Sequence, residues 1–237
     1  MNSLQQSFSS ALSLVLSSDA QLWAIIGRSL AVSGLATLLG FALGAALGAW
    51  LAVSRFTGRG AVIALLNALL ALPSVVVGLL VYLLLSRSGP LGFLGWLFSF
   101  KAMVLAQSLL VLPIVAAWVR QALEDADRSH GEQIVAMGAE HGMRGLLLLL
   151  DERFVLLTIA IAAFGRAIAE VGAVMIVGGN IDGFTRVMTT AIALETSKGD
   201  LPLALGLGLV LMGIVLGLNA LVALIKSWRE QRELMAL

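Results

Sequence analysis

The sequence has 237 residues, of which 59% are apolar and only 12% are charged, and its formal net charge is +1. A soluble domain carries about 25% charged residues, so this composition excludes an ordinary soluble protein. The absence of cysteine, of a GxxxxGKS/T loop, of HExxH and GxSxG motifs and of a basic, aromatic-rich patch excludes thiolate sites, ATP binding by such a loop, familiar hydrolase chemistry and nucleic-acid binding.

The first segment, residues 1–21, predicts a short amphipathic helix. Its apolar residues recur at helical spacing, with serine and glutamine on the opposite face. They are Leu4, Phe8, Ala11, Leu12, Val15 and Leu16. We expect this helix to lie in the outer interface of a membrane, and an unstructured tail is the alternative.

Five segments that can cross a membrane follow. Ser29–Ser54, Gly60–Ser86 and Leu201–Ile225 contain no charged residue, and each exceeds the roughly 20 apolar residues that a spanning helix needs. Ala102–Val119 is shorter, and Phe154–Ile181 carries two charged residues. The sequence therefore predicts an all-α, polytopic membrane protein with five transmembrane helices.

Glycines repeat at a spacing that favours close helix packing. Gly40, Gly44 and Gly48 form two overlapping GxxxG units in the first span, and Gly213 and Gly217 form another in the fifth. Such ridges let two helix backbones approach closely. The spacing alone leaves open whether they pack within the chain or between two copies of it.

Prolines and a glycine-rich stretch interrupt the apolar pattern. Pro73 in the second span and Pro113 in the third are expected to kink their helices. Gly89–Phe100 is apolar but short and contains Pro90, so it predicts an external loop or a re-entrant segment.

The positive charges predict an orientation. Nine lysines and arginines fall on one side of a five-span chain and five on the other, leaving out the one inside the fourth span. Because cytoplasmic loops are enriched in these residues, we expect an external N-terminus and a cytoplasmic C-terminus. The cytoplasmic set is Arg55, Arg59, Arg120, Arg128, Arg144, Arg153, Lys226, Arg229 and Arg232, and the external set is Arg28, Arg87, Lys101, Arg186 and Lys198. His130 and His141 are predicted to be solvated side chains of the cytoplasmic loop, without metal-ligand spacing.

The fourth span is unusual because it holds two ionisable residues. Arg166 and Glu170 are four positions apart, so they share one helix face and are predicted to pair. Charged groups at membrane depth usually face a bundle interior or a water-filled cavity. The pair is either a structural lock between helices or a charge pair beside a permeation path. The following external segment, residues 178–200, is rich in hydroxyl groups and would suit an anion or a docking soluble partner.

The loop between the third and fourth spans resembles the EAA loop of ABC importer permeases. Glu132 and Gly138 stand at the spacing of the E-A-A-x-x-x-G frame. Gln133 and Ile134 replace its two alanines, and the closing I-x-L-P falls on residues 148–151, where the proline is absent. This resemblance implies an ATPase-coupling element made of Glu132, Gln133, Ile134, Val135, Ala136, Met137, Gly138 and Ala139.

A second stretch, "GRAIAEVGAVMIVGGNIDGFTRVMTTAIALETSKGD", is similar to the corresponding region of oxyanion permeases, most closely their tungstate branch. The family pattern Gly-Glu-x-Gly-Ala and Gly-Asn-x-x-Gly-x-Thr matches at Glu170, Gly172, Ala173, Gly179, Asn180, Gly183 and Thr185. The similarity extends over residues 22–230.

This resemblance implies a permease domain of MetI-like fold over residues 22–230, with a coupling loop at about 124–152 and a cytoplasmic tail at 231–237. It implies a multi-pass homodimer in the cytoplasmic membrane, two ATPase subunits below it and a periplasmic or extracellular oxyanion-binding protein above it. ATP and magnesium would be held by the ATPase, so the chain itself needs no cofactor and is not an enzyme. The substrate path is expected at Arg166, Glu170, Gly172, Asn180 and Thr185.

The expected function is ATP-driven import of a tetrahedral oxyanion, tungstate, by alternating access. A coupling helix that contacts the ATPase differently in its two states would shift the population of the inward and outward forms. Molybdate and sulfate are alternative substrates within the same group. A passive anion channel and a membrane scaffold are alternatives from other classes.

Overall fold

The computed structural model describes the backbone of residues 2–17, 19–136 and 141–235, and the side chains of residues 8–17, 19–129 and 143–228. In these residues the chain forms α-helices and one short 3-10 helix, and no strand. The helices are α1 (Asn2–Leu16), α2 (Ala20–Val53), α3 (Arg59–Leu70), α4 (Ser74–Leu85), α5 (Phe100–Ala136), α6 (His141–Asp151), α7 (Arg153–Ile168), α8 (Gly172–Gly178), α9 (Met188–Lys198) and α10 (Leu201–Met235).

Three of these helices, α2, α5 and α10, are long and apolar enough to cross a membrane. Two helix pairs, α3 with α4 and α7 with α8, pass the same test only together, with a bend of more than 40° at a short break. The described residues thus contain three candidate spans, or five if each bent pair is one span. The all-α, membrane-spanning class is confirmed, and the count of five stays a prediction.

The second predicted span is not one helix. It breaks between α3 and α4, where Pro73 has φ −62° and ψ 128° and precedes the first residue of α4. Proline lacks the N–H of a helix interior and disfavours the helical conformation of the residue before it. The expected kink at Pro73 is therefore a full interruption, whereas Pro113 lies inside α5 without breaking it.

The connection predicted between the third and fourth spans is largely helical. The third helix continues well beyond its apolar part, as far as Ala136, and α6 takes up His141–Asp151. Leucine, alanine, glutamate, glutamine and arginine in this stretch are strong helix formers. His130 lies in α5 and His141 begins α6, and the predicted solvation of their side chains lies outside the described residues. The irregular segment predicted at Gly89–Phe100 is confirmed, and it contains the 3-10 turn Gly92–Leu94.

The chain divides into two compact units. The first consists of Met1–Ala36, Pro73–Gln107 and Gly165–Gly217. In it, α4 and α8 pack with almost no space between them, since a Cβ atom at Gly78 would lie 2.7 Å from the Ala173 Cα atom. The predicted helix α1 is confirmed: Ala11 is fully buried, whereas Phe8, Leu12 and Leu16 of the same stripe are exposed. Its place at a membrane interface stays a prediction.

The second unit consists of Thr37–Leu72, Ser108–Phe164 and Leu218–Leu237. Its core contains Leu51 from α2, Leu66 from α3, and Ala116 and Ala117 from α5. The glycine ridge of α2 faces α5: a Cβ atom at Gly44 would meet the Leu112 carbonyl oxygen at 2.7 Å, and one at Gly48 the Ala116 carbonyl oxygen at 2.7 Å. The ridge of the first span therefore serves packing within the chain.

The glycine ridge of α10 is different. A Cβ atom at Gly213 or Gly217 would meet no atom of the described residues within 4 Å. Within the part of the chain that the structure describes, this ridge makes no close contact. Of the two glycine ridges, the ridge of α10 is therefore the one that is accessible to a second copy of the chain or to lipid.

Candidate functional site

The break between α7 and α8, in the first unit, is built around Glu170. Its side chain is 5% exposed. One carboxylate oxygen accepts a hydrogen bond from Arg166 Nη1 at 3.3 Å, and the other accepts one from the Ala173 backbone N–H, also at 3.3 Å. Its carbonyl oxygen accepts the hydroxyl of Thr189 at 2.7 Å. Glu170 thus joins the end of α7, the start of α8 and α9 through its own atoms.

The predicted pair of Arg166 and Glu170 is confirmed, and its two members lie in different surroundings. The arginine side chain is 56% exposed, whereas the glutamate is almost completely buried. A guanidinium has five N–H donors. In the structure, one N–H of Arg166 donates a hydrogen bond to the Glu170 carboxylate. The guanidinium of Arg166 is therefore accessible to solvent, whereas the carboxylate that neutralises it is buried.

Gly172, the first residue of α8, is placed by close helix packing. A Cβ atom there would lie 2.7 Å from Val75 Cγ2 and 2.9 Å from Ser74 Oγ, both at the start of α4. A larger residue would fit only if the Val75 and Ser74 side chains moved. Gly172 therefore lets the two half-helices meet at their N-terminal ends.

The turn after α8 is held by Thr185. This residue is fully buried. Its hydroxyl donates to the Gly178 carbonyl oxygen at 2.5 Å and accepts from the Ile181 N–H at 2.9 Å. Gly179 and Gly183 both have φ +69°, a conformation that glycine adopts without steric cost. Both hydrogen bonds of the Thr185 hydroxyl therefore lie within the turn and stabilise its shape.

Asn180 occupies the same turn, with φ +50°. Its side-chain amide donates to the Thr190 carbonyl oxygen at 3.2 Å, and its Oδ1 atom is buried with no hydrogen-bond partner in the described residues. A second unpartnered amide oxygen belongs to Gln107 on α5, whose Nε2 donates to the Ala167 carbonyl oxygen at 2.9 Å. Buried amides without full partners are uncommon, and these two lie on either side of the break at Glu170 in sequence.

Sequence reasoning missed an ion-pair cluster beside this turn. Arg186, with an 11% exposed side chain, lies 3.1 Å from Asp182 and 3.8 Å from Glu195. Glu195 is also buried and pairs with Lys198 at 3.0 Å. The four-residue spacing of Asp182 and Arg186 was a usable signal. Arg28 is a long-range member, donating to the backbone oxygens of Arg186 at 3.1 Å and Gly183 at 2.5 Å, and no local pattern predicts it.

The predicted coupling element lies in the second unit, at the end of α5. The backbone of Glu132, Gln133, Ile134, Val135 and Ala136 forms the last helical residues of α5, and their side chains lie outside the described residues. Met137, Gly138 and Ala139 lie outside the described residues altogether. The structure therefore does not show how the coupling element would dock onto an ATPase.

The flanks of this element are tied to the second unit by partly buried ion pairs. Arg59 on α3 pairs with Glu124 on α5 and donates to the Leu51 carbonyl oxygen of α2 at 2.9 Å. Arg120 lies 2.8 Å from the same glutamate. Arg144 on α6 pairs with Asp127 on α5 at 2.5 Å.

Within the described residues, no group of three or more His, Cys, Asp or Glu side chains could hold a metal ion.

The chain is similar to curated transport proteins along most of its length. It is 40% identical over 226 residues to the tungstate uptake system permease protein TupB of Peptoclostridium acidaminophilum, which covers 94% of this chain and 97% of that protein. It is 40% identical to a probable anion ABC transporter permease protein of Haloferax volcanii, over 83% of this chain and 87% of that protein. It is 31% identical to the molybdenum transport system permease protein ModB of Escherichia coli K12, over 75% and 82%. No protein-family model matches the chain.

These similarities define the class as a multi-pass permease of an ABC transporter, a transport subunit and not an enzyme. More particularly, the chain belongs to the family of oxyanion permeases that includes the tungstate uptake and molybdenum transport permeases. The resemblance stated from the sequence is confirmed.

Proposed function

We propose that this chain is the permease of an ATP-driven importer of tungstate. The observation that carries the proposal is the 40% identity to a tungstate uptake permease over 94% of the chain. Identity to the molybdenum transport permease is lower, 31% over 75% of the chain, so molybdate is less favoured as the physiological substrate.

The complete transporter would contain two copies of this chain, two ATPase subunits on the cytoplasmic side and an oxyanion-binding protein on the outside. The permease domain of MetI-like fold would extend over residues 22–230 in the cytoplasmic membrane, with the N-terminus outside. ATP and magnesium would be bound by the ATPase alone. The similarity to an uptake system permease and to a probable ABC transporter permease supports this composition.

ATP-driven motion would enter the permease at the coupling element, residues 132–139. The ion pairs Arg59–Glu124 and Asp127–Arg144 hold the flanking helices to the rest of the second unit. A force on the element would thus be carried to α2, α3 and α6 as one body instead of bending α5 alone. Because a ligand shifts a conformational equilibrium only by differential affinity, the ATPase must contact this element differently in its two states.

The substrate path would pass the break between α7 and α8. A tetrahedral oxyanion needs positively charged N–H donors in place of its lost water, and the half-exposed guanidinium of Arg166 supplies them. Glu170 would hold that guanidinium in place from its buried side. Gly172, Asn180 and Thr185 would shape the surrounding backbone, and substrate selection would rest mainly with the binding protein.

Reconstitution tests this function. The chain, its ATPase and its binding protein are placed in proteoliposomes, and uptake of tungstate, molybdate and sulfate is measured with and without ATP. The expected result is ATP-dependent uptake with tungstate preferred. Oxyanion flux through the chain alone would indicate a channel, and assembly without any flux would indicate a scaffold; either outcome contradicts the proposal.

A further inference from the structure

Two clefts adjoin in the second unit at the end of α2. The first is apolar, has a volume of about 390 Å³ and lies between α2 and α6, with Trp50, Val53, Gly145, Leu146 and Leu149 in its lining. The second is polar and has a volume of about 420 Å³. Ser54 lines both clefts, so the two clefts are neighbours at this residue.

Aromatic residues mark the level at which the two clefts meet. The rings of Trp50 and Phe56 stack with centroids 5.1 Å apart and are both exposed. Tryptophan and tyrosine side chains are enriched at the boundary between the hydrocarbon and water, which is the level expected for Trp50. α2 ends at Val53, two residues before Arg55. We therefore expect the apolar cleft on the membrane side of this boundary and the polar cleft on the side of the headgroups and water.

The polar cleft has unbalanced positive charge. Its lining includes three arginines and two acidic residues, Glu124 and Asp127. Both acidic groups are already paired, the first with Arg59 and Arg120 and the second with Arg144.

The other two arginines of the cleft are available. Arg55 is exposed and makes no ion pair or hydrogen bond within the described residues. Arg128 contacts only Asp125 there, at 3.4 Å, with side chains that are 77% and 62% exposed. An anion entering this cleft would meet two accessible guanidinium groups.

We propose that the paired clefts are a binding site for one anionic phospholipid. An acyl chain would occupy the apolar cleft between α2 and α6, and the phosphate would lie against Arg55 and Arg128. Gly145 adds no side chain to the apolar cleft, and a Cβ atom there would make an ordinary van der Waals contact with Val53 at 3.7 Å. Basic pockets at the headgroup level are suited to anionic lipids. A free oxyanion would bind only in the polar cleft and would make no contact with the apolar cleft.

Binding is measured by native mass spectrometry on the full chain in detergent, with phosphatidylglycerol and phosphatidylcholine of equal acyl length. This requires neither transport nor ATPase, so its failure is separate from failure of the proposed function. Phosphatidylglycerol is expected to be retained preferentially. Replacing both Arg55→Gln and Arg128→Gln should weaken its retention at least about fivefold. The matched control is Arg87→Gln with Lys226→Gln, which removes two exposed cations outside both clefts and should change little.

The apolar half is tested by filling it. Ala46 is exposed and lines the cleft, so Ala46→Phe should reduce lipid retention, whereas Ala42→Phe, on the same helix and also exposed but outside the lining, should not. Equal retention of the two lipids, equal loss in both members of a variant pair, or displacement of the lipid by tungstate would overturn the proposal. So would a shift of Ala46→Phe from dimer to monomer with lipid retention unchanged, because the cleft would then be a protein interface.

Discussion

Arg144 on α6 donates its Nε–H to Asp127 Oδ1 on α5 at 2.6 Å, and its Nη2 atom lies 2.5 Å from the same oxygen, across the coupling element that lies between them in the sequence. The arginine and aspartate side chains are 23% and 17% exposed, so water screens this pair less than a surface pair. The contact fixes the two flanks of residues 132–139 to each other, independently of the element's own conformation.

Breaking this contact should weaken the hold of α6 on α5. Asp127→Ala or Arg144→Ala is expected to cost about 1–3 kcal/mol, since each leaves a partly buried charge without its partner. In a double-mutant cycle on thermal unfolding in detergent, the coupling energy should be clearly positive. The matched cycle on Asp125 and Arg128, whose side chains are mostly exposed, should give about 0–1 kcal/mol. Equal coupling in the two cycles would contradict this account.

The coupling element itself is tested at Gly138. Because a docking helix must insert into a groove on the ATPase, Gly138→Trp should abolish co-purification of the ATPase while the permease still elutes as a folded protein. Ser129→Trp, at an exposed position of α5 outside the element, should assemble normally. Normal assembly and uptake by the Gly138→Trp variant would show that docking occurs elsewhere.

The two glycine ridges should respond differently to a branched side chain. Gly44→Val would drive a side chain into the α5 backbone, where a Cβ atom already lies 2.7 Å from the Leu112 carbonyl oxygen. Overpacking of this kind typically costs about 1–3 kcal/mol, so the melting temperature in detergent should fall. Gly213→Val has open space in the described residues and should leave that temperature nearly unchanged. Equal melting temperatures for the two variants would show that α2 and α5 do not pack as described.

Local sequence patterns predicted those features that depend on neighbouring residues. The spacing of Arg166 and Glu170 predicted their contact, because four residues make about one helical turn. Pro73 predicted a disturbance in the second span, and only the degree was underestimated. Long uncharged runs predicted the membrane-spanning helices α2 and α10, because a run of that length has no other common use.

Features formed by distant residues could not be predicted this way. Arg28 contacts Gly183 and Arg59 contacts Glu124 at sequence separations of 155 and 65 residues, and no periodicity connects such residues. The extension of α5 to Ala136 was missed because hydropathy locates where a helix leaves the membrane and not where it ends. The two clefts at Ser54 depend on the packing of α6 against α2, which has no signature in either helix alone.

The orientation is open to direct labelling, and the absence of native cysteine makes this simple. In intact cells, Ser88→Cys and Ser197→Cys should react with an impermeant thiol reagent, because the charge bias puts these positions outside. Ser3→Cys is expected to behave in the same way. Ser54→Cys, Ser129→Cys and Ser227→Cys should react only after permeabilisation. External labelling at residue 129 would reverse the orientation and remove the coupling element from the cytoplasm.

The last prediction separates the two roles left open for Arg166 and Glu170. Removing Arg166 alone leaves a carboxylate that is 5% exposed without its cation, which should cost about 1–3 kcal/mol because the lost partner was itself more than half exposed. Removing Glu170 alone should cost less, since the arginine is more than half exposed and water can reach it. Replacing both by leucine should restore much of the stability, because two apolar side chains need no partner. Thermal unfolding of the three variants in detergent measures this order.

If the pair is only a lock between half-helices, the double variant folds, assembles and takes up oxyanion normally. If Arg166 lies on the path, the double variant assembles and hydrolyses ATP but fails to move oxyanion, and Arg166→Lys with Glu170 intact recovers part of the uptake. Normal uptake by the well-folded double variant would remove both residues from the substrate path.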